Sequence, residues 1–224
     1  MREQTEQRVV AVARLSFGGL TAAALGAQAW HVAAQGKTLV NFFSYFTIES
    51  NIVMTVVLLA GGVLGLTGRR GGVPDLLRGA ATLYMAITGV VYAVALAQYE
   101  ALGTLAWVDD VVHRIMPVVI FLDWVLVPPV RRLRYSEALR WLVFPLVFLA
   151  YTLIRGPFAG WYPYPFLDPR DNGYAHVAVS SVLITLAFLA FGAALVRIGN
   201  VLGGRRRRSR ATVAEPVETL TPPV

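Results

Sequence analysis

The chain has 224 residues, 56% hydrophobic and 15% charged, with a net charge of +7 and no cysteine. An average soluble domain is roughly 45–50% apolar and about 25% charged, so this balance, with a mean hydropathy of +0.59, excludes an ordinary soluble domain and points to the membrane. The missing cysteines exclude disulfides and thiolate metal sites, and the basic residues sit at the ends of apolar blocks, which reads as topology and not as nucleic acid binding.

Those apolar blocks run to about 20 residues, long enough to cross a bilayer core as helices. They predict an all-α polytopic protein, with residues 1–200 forming a domain of six transmembrane helices. The first span is expected over 9–33 and the second over 43–66. The third follows over 76–97, the fourth over 107–127, the fifth over 138–153 and the sixth over 174–196. The arginines ahead of the first block, and "LGAQAW" near its end, also fit a signal peptide cleaved near Ala29. Pro117 and Pro145 are expected to kink the fourth and fifth spans. Residues 201–224 read as a cytoplasmic tail. It opens with the basic "GGRRRRSR", which suits a stop-transfer flank or a contact with anionic lipid. From 211 it is rich in Pro, Thr and Glu, lacks a hydrophobic stripe and is expected to be disordered.

Orientation follows from the arginines. With six spans, one side collects Arg2, Arg8, Arg14, Arg69, Arg70, Arg78, Arg131, Arg132, Arg134, Arg140, Arg197, Arg205, Arg206, Arg207, Arg208 and Arg210. That is sixteen of the twenty basic residues, leaving Lys37, Arg114, Arg155 and Arg170 opposite. The positive-inside rule then places both termini in the cytoplasm of a cell-membrane protein.

This topology brings polar residues from four segments to the outer level. Thr47, Glu49 and Asn51 open span two, and Asp109, Asp110, His113 and Arg114 open span four. Arg155, Asp168, Asp171 and His176 lie at the same depth. Ser44, Thr47 and Asn51 share a helical face at i, i+3 and i+7. Asp109 and Asp110 precede His113 by four and three residues, so either carboxylate reaches the imidazole and orients it. A hydroxyl opposite such a histidine has the parts of an activated nucleophile. Arg114, Asn51 or a helix-start N–H could then stabilise an oxyanion. Each residue also has a plainer role, since Thr and Ser in membrane helices commonly bond to their own backbone or to a neighbouring helix. Asp123 lies ten residues past His113, about 15 Å along a helix, where a buried carboxylate must pair or be protonated.

Metal and cofactor motifs are missing. Three histidines in three spans have no ligand spacing, and no Gly-rich phosphate loop, G-x-S-x-G or strand pattern is present, which excludes nucleotide chemistry and the α/β-hydrolase fold.

"SYFTIESN" around Thr47, "WVDDVVHRIMPVVIFLDW" around His113 and "WYPYPFLDP" at 161–169 occur in that order relative to the spans. Together they resemble the androgen-induced protein family of six-span membrane hydrolases and its bacterial branch, over about residues 9–197. The resemblance implies a threonine nucleophile at Thr47, a histidine at His113 and hydrolysis of fatty acid esters of hydroxy fatty acids. It also aligns Asp123 with the family's acid ten residues after the histidine, and sets the intervening proline off by one. Asn51, Glu49, Asp109 and Asp110 are not carried over from the family pattern, and their roles rest on spacing.

In the third motif, Trp161, Tyr162 and Tyr164 suit the headgroup level. The prolines predict an extended loop there, with Trp161, Tyr162, Tyr164 and Asp168 as a lid over a polar pocket, a plain interfacial anchor, or both. The leading expectation is therefore a membrane-embedded threonine hydrolase of lipid-like esters, with membrane lipids as neighbours and no cofactor, metal or nucleic acid. Two other readings stand beside it. One is a small transporter or ligand-binding protein using Asp123, Arg114 and His176, and the other is a non-catalytic scaffold in which the polar cluster only joins helices.

Overall fold

The computed structural model describes residues 2–68, 72–97 and 103–214. Among them every regular element is helical. Five helices are long and apolar enough to cross a membrane.

Helix α1 (Arg2–Ala34) leads into a short α2 (Leu39–Phe43), capped by the Thr38 hydroxyl. The chain then restarts as α3 (Phe46–Leu66), because Ser44 and Tyr45 leave helical geometry. The second span is thus not continuous from residue 43. Ser44 belongs to the α2 corner, where its hydroxyl donates to the Val40 carbonyl and meets Tyr151 Oη at 2.9 Å.

Helix α4 (Asp75–Val91) continues as one π-turn over Tyr92–Leu96, closed by Ala97 N–H on the Tyr92 carbonyl at 2.7 Å. The fourth expected span is a helical run of three parts: α5 (Ala106–Asp110), a π-turn over Val111–Ile115 and α6 (Met116–Leu126). It stands apart from the five apolar helices because Asp109, Asp110, Arg114 and Asp123 interrupt its hydropathy.

A single turn, α7 (Tyr135–Ala138), and a 3₁₀ turn precede α8 (Val143–Ala159). This helix reaches six residues beyond the expected end at 153. Arg155 does not stop it, since its guanidinium donates to Asn41 Oδ1 at 2.6 Å and lies over the Trp161 ring. Gly160, at φ 58°, ends it. Pro117 falls in the first turn of α6 and Pro145 in the first turn of α8.

Helix α9 (Pro169–Ala214) is kinked at Gly173 (φ 74°). Beyond the kink it runs through the basic stretch, so residues 201–214 are helical where a tail was expected, disordered from 211. Residues 215–224, together with Arg69 and Arg70 of the basic set, lie outside the described residues.

The layers follow from which faces are buried. α1 lies along α3, and the approach is close: a Cβ on Gly62 would come within 2.5 Å of the Leu15 side chain. Helix α4 packs on α3, α6 and α9 and buries most of its length, from Arg78 to Thr88. α8 and α9 instead turn much apolar surface outward, including Val147, Ile154, Val179 and Leu183, as lipid-facing helices do.

Asp123 marks the end of the bundle away from His113. Arg14 grips it with Nε at 2.6 Å and Nη2 at 3.0 Å, and Arg78 Nη2 reaches it at 2.9 Å. Arg78 also donates to Asp75 and to the Val127 carbonyl, and its guanidinium lies over the Trp124 ring. Two arginines and two aspartates thereby neutralise one another while tying α1, α4 and α6 together. Removing one partner of such a largely buried network leaves an uncompensated charge, at a cost of about 3–5 kcal/mol. Asp123→Asn should therefore lower the thermal unfolding midpoint in detergent well below that of the wild type; an unchanged midpoint would count against this role.

Candidate functional site

Thr47 is the second residue of α3, so its N–H has no partner within the helix. That N–H donates instead to the hydroxyl of Tyr164 at 3.2 Å. Facing Thr47 is the π-turn of the fourth helical run. Pro117 lacks the N–H that would bond to the His113 carbonyl, and ahead of it the Met116 N–H bonds five residues back to Val111. Gly89 of α4 leaves room for the proline: a Cβ there would stand 3.0 Å from the Pro117 ring. The widened turn presents His113 to α3. Its Nε2 lies 3.3 Å from Thr47 Oγ1, and its Nδ1 lies 2.9 Å from Asp109 Oδ1, four residues earlier.

These contacts define a chain of proton positions. A carboxylate only accepts, so Nδ1 carries the proton and Nε2 is left to accept one from the hydroxyl. The other oxygen of Asp109 accepts from Tyr92 Oη at 2.6 Å. The Tyr92 ring stacks on the imidazole, with centroids 4.1 Å apart and planes at 11°. Asp109 thus has both oxygens occupied, and His113 is held along its edge and across its face.

Asn51 fixes the two halves together. It is fully buried, and its Nδ2 donates to the Thr47 carbonyl at 2.8 Å and to the Val112 carbonyl, within the π-turn, at 3.3 Å. Both partners are acceptors, so the amide nitrogen is spent on backbone.

Thr47, His113, Asp109, Tyr92 and Tyr164 line a cavity of about 550 Å³, with Trp161, Lys37 and Asn41 among its other walls. Thr47 and Tyr164 also border a second cavity of about 80 Å³, formed largely by apolar side chains such as Phe148, Leu149, Ile184 and Phe188. The hydroxyl and the phenol stand where the two meet.

The remaining residues singled out in the sequence are placed elsewhere or act indirectly. Asp110 pairs with Arg114 on the surface, and Arg114 also donates to Tyr92 Oη at 3.1 Å. His176 is exposed on α9, and Asp123 belongs to the arginine network, so Asp123, Arg114 and His176 do not converge. Asp168 is held by Arg170 at 2.5 Å, whose hydrogen bonds, helped by its charge, keep the Asp168 carboxyl below the usual carboxylate range. Tyr162 is buried against Gly156, where a Cβ would come within 2.0 Å of its ring. The "WYPYPFLDP" segment packs on the bundle through Tyr162, Pro163, Tyr164 and Leu167, with Pro165 exposed, and Trp161, Pro163, Tyr164 and Pro165 line the larger cavity described above.

Tyr92 is the residue that sequence reasoning missed. Nothing in "GVVYAVALAQY" distinguishes it from an interfacial aromatic, and only the end-to-end packing of α4 against the His113 turn reveals it. Tyr164 was expected at the interface and instead touches Thr47.

No family model, no curated protein and no solved structure matches the chain. Site geometry thus carries the functional reading.

Asn51→Ala strands the buried Val112 carbonyl, at about 1–3 kcal/mol. It should lower the unfolding midpoint and lengthen the Thr47–His113 contact. An Asn51→Ala protein with wild-type stability and wild-type imidazole NMR shifts would contradict that positioning role.

Proposed function

We propose that the protein is a membrane-embedded hydrolase of lipid-like (fatty acid) esters, with Thr47 as nucleophile and His113 as general base near the outer membrane face. In this reading the chain makes six spans, the five long apolar helices and the helical run 106–126, with both termini in the cytoplasm of the cell membrane. The charge in the fourth span is accommodated by pairing: Asp109 at one end with His113 and Tyr92, and Asp123 at the other with Arg14 and Arg78. Kinship with the androgen-induced protein family, through the three motifs, is part of the proposal.

The observation that carries the reading is the hydrogen-bonded chain from Thr47 Oγ1 through His113 to Asp109. His113 Nε2 takes the hydroxyl proton as Thr47 Oγ1 bonds to the ester carbonyl carbon. Asp109 holds the imidazolium that forms. The tetrahedral intermediate collapses, the C–O bond to the alcohol breaks, and the departing alkoxide takes the proton from His113. Water in the larger cavity, deprotonated in turn by His113, attacks the acyl carbon; the bond from that carbon to Thr47 Oγ1 then breaks, Oγ1 takes the proton back from His113, and the acid leaves. The apolar cavity beyond Thr47 supports a substrate with a hydrocarbon part, and the polar walls of the larger one suit the alcohol and the water.

A positioned general base contributes about 10²–10⁴-fold. Fluorophosphonate labelling of the purified wild type should accordingly vanish in Thr47→Ala, fall at least about 100-fold in His113→Ala and survive in Thr47→Ser, at matched thermal stability. Labelling that persists in Thr47→Ala, or fails in well-folded wild type, removes the hydrolase reading.

A further inference from the structure

The site has a nucleophile, a base and an orienting acid, and it also needs a donor for the charge that develops on the carbonyl oxygen. Two of the candidates named from the sequence do not serve. Asn51 Nδ2 is committed to the Thr47 and Val112 carbonyls. Arg114 is 57% exposed and tied to Asp110 and Tyr92.

We propose that the Tyr164 hydroxyl, together with the Thr47 N–H behind it, is the oxyanion donor; the proposal rests on the hydrolase reading of the site. Three observations carry it. Tyr164 Oη lies 3.4 Å from Thr47 Oγ1, the atom that bonds to the carbonyl carbon, so it stands beside the position a tetrahedral oxygen takes. Oη accepts the Thr47 N–H, which leaves the phenol proton available to donate. And the side chain is fixed, buried between Tyr45 in an edge contact and Phe166 in a parallel stack, so it does not have to be ordered when charge appears.

The local electrostatics favour a donor that keeps its proton. Burial pushes the Tyr164 phenol up to about 12, so the group is neutral at working pH. The Thr47 N–H belongs to the first turn of a 21-residue helix, whose positive end polarises the phenol through the bond it donates. As Oγ1 bonds to the carbonyl carbon, the C=O π pair moves onto oxygen. The O–H of Tyr164 then hydrogen-bonds to that oxygen without giving up its proton. When the π bond re-forms, the alkoxide leaves with the proton held by His113, and Tyr164 returns to Thr47 unchanged.

The test is steady-state hydrolysis of p-nitrophenyl octanoate by the full chain in detergent, comparing wild type, Thr47→Ala and Tyr164→Phe. Phenylalanine keeps the ring between Tyr45 and Phe166 and removes only the hydroxyl. Loss of one oxyanion donor costs about 10²–10³ in kcat. The expected result is that loss in Tyr164→Phe with KM and unfolding midpoint unchanged, which a purely structural tyrosine would not give. Wild-type kcat in Tyr164→Phe, with Thr47→Ala inactive, overturns the Tyr164 role and leaves the hydrolase reading standing. Turnover independent of Thr47, or none by the folded wild type, overturns both. If Tyr164→Phe does not fold, 3-fluorotyrosine at position 164 keeps ring and hydroxyl and makes the phenol a stronger donor. It should raise kcat at constant KM, and an unchanged kcat would sink the proposal.

Discussion

A missing hydrogen bond organises this bundle. Pro117 cannot donate to the His113 carbonyl, and the helix ahead of it widens into the π-turn 111–115. Such single-turn insertions re-aim side chains without ending the helix. Here the turn does two things at once. It points His113 at Thr47, and it hands the Val112 carbonyl to Asn51 of α3. The second π-turn, at 92–96, ends α4 beside it, where Tyr92 stacks on the imidazole. Two local departures from α geometry thus meet at one place, around His113.

The same helical run separates two kinds of electrostatics by about four turns. At its start, Asp109 is hydrogen-bonded to an imidazole and a phenol, with the Arg114 guanidinium 4.0 Å away, and faces a cavity. Near its end, Asp123 is locked by two arginines. A carboxylate that must hold a tautomer needs a partner able to give and receive protons, whereas one that must hold helices together is best served by fixed charge. The difference explains why acids of similar burial on one helix serve different ends.

Thr47 owes its contacts to position as much as to its partner. Had α3 continued from α2 without the break at Ser44 and Tyr45, Thr47 would sit mid-helix with its N–H bonded internally. At the second position of the helix, the N–H is free to reach Tyr164, and Thr47 borders both cavities. The packed 160–168 segment supplies that tyrosine. Gly156 makes the packing possible by giving Tyr162 a surface without a side chain.

The sequence determined the all-helical class, the apolar blocks and the placing of a carboxylate, Asp109 or Asp110, beside His113, because those follow from composition and from contacts three or four residues apart on one helix; the structure selects Asp109. It also singled out Thr47, His113 and Asn51, since polar side chains among apolar ones are conspicuous. It misplaced the start of α3, the ends of the fifth and sixth blocks and the basic helical extension, where capping and packing outweigh hydropathy. Only the tertiary structure decided that Asp123 belongs to Arg14 and Arg78, that His176 stands apart on α9, and that Tyr92 and Tyr164 join the site. These are contacts between residues 17 to 117 apart in sequence, set by how helices cross and where π-turns rotate their faces. No local pattern encodes that rotation.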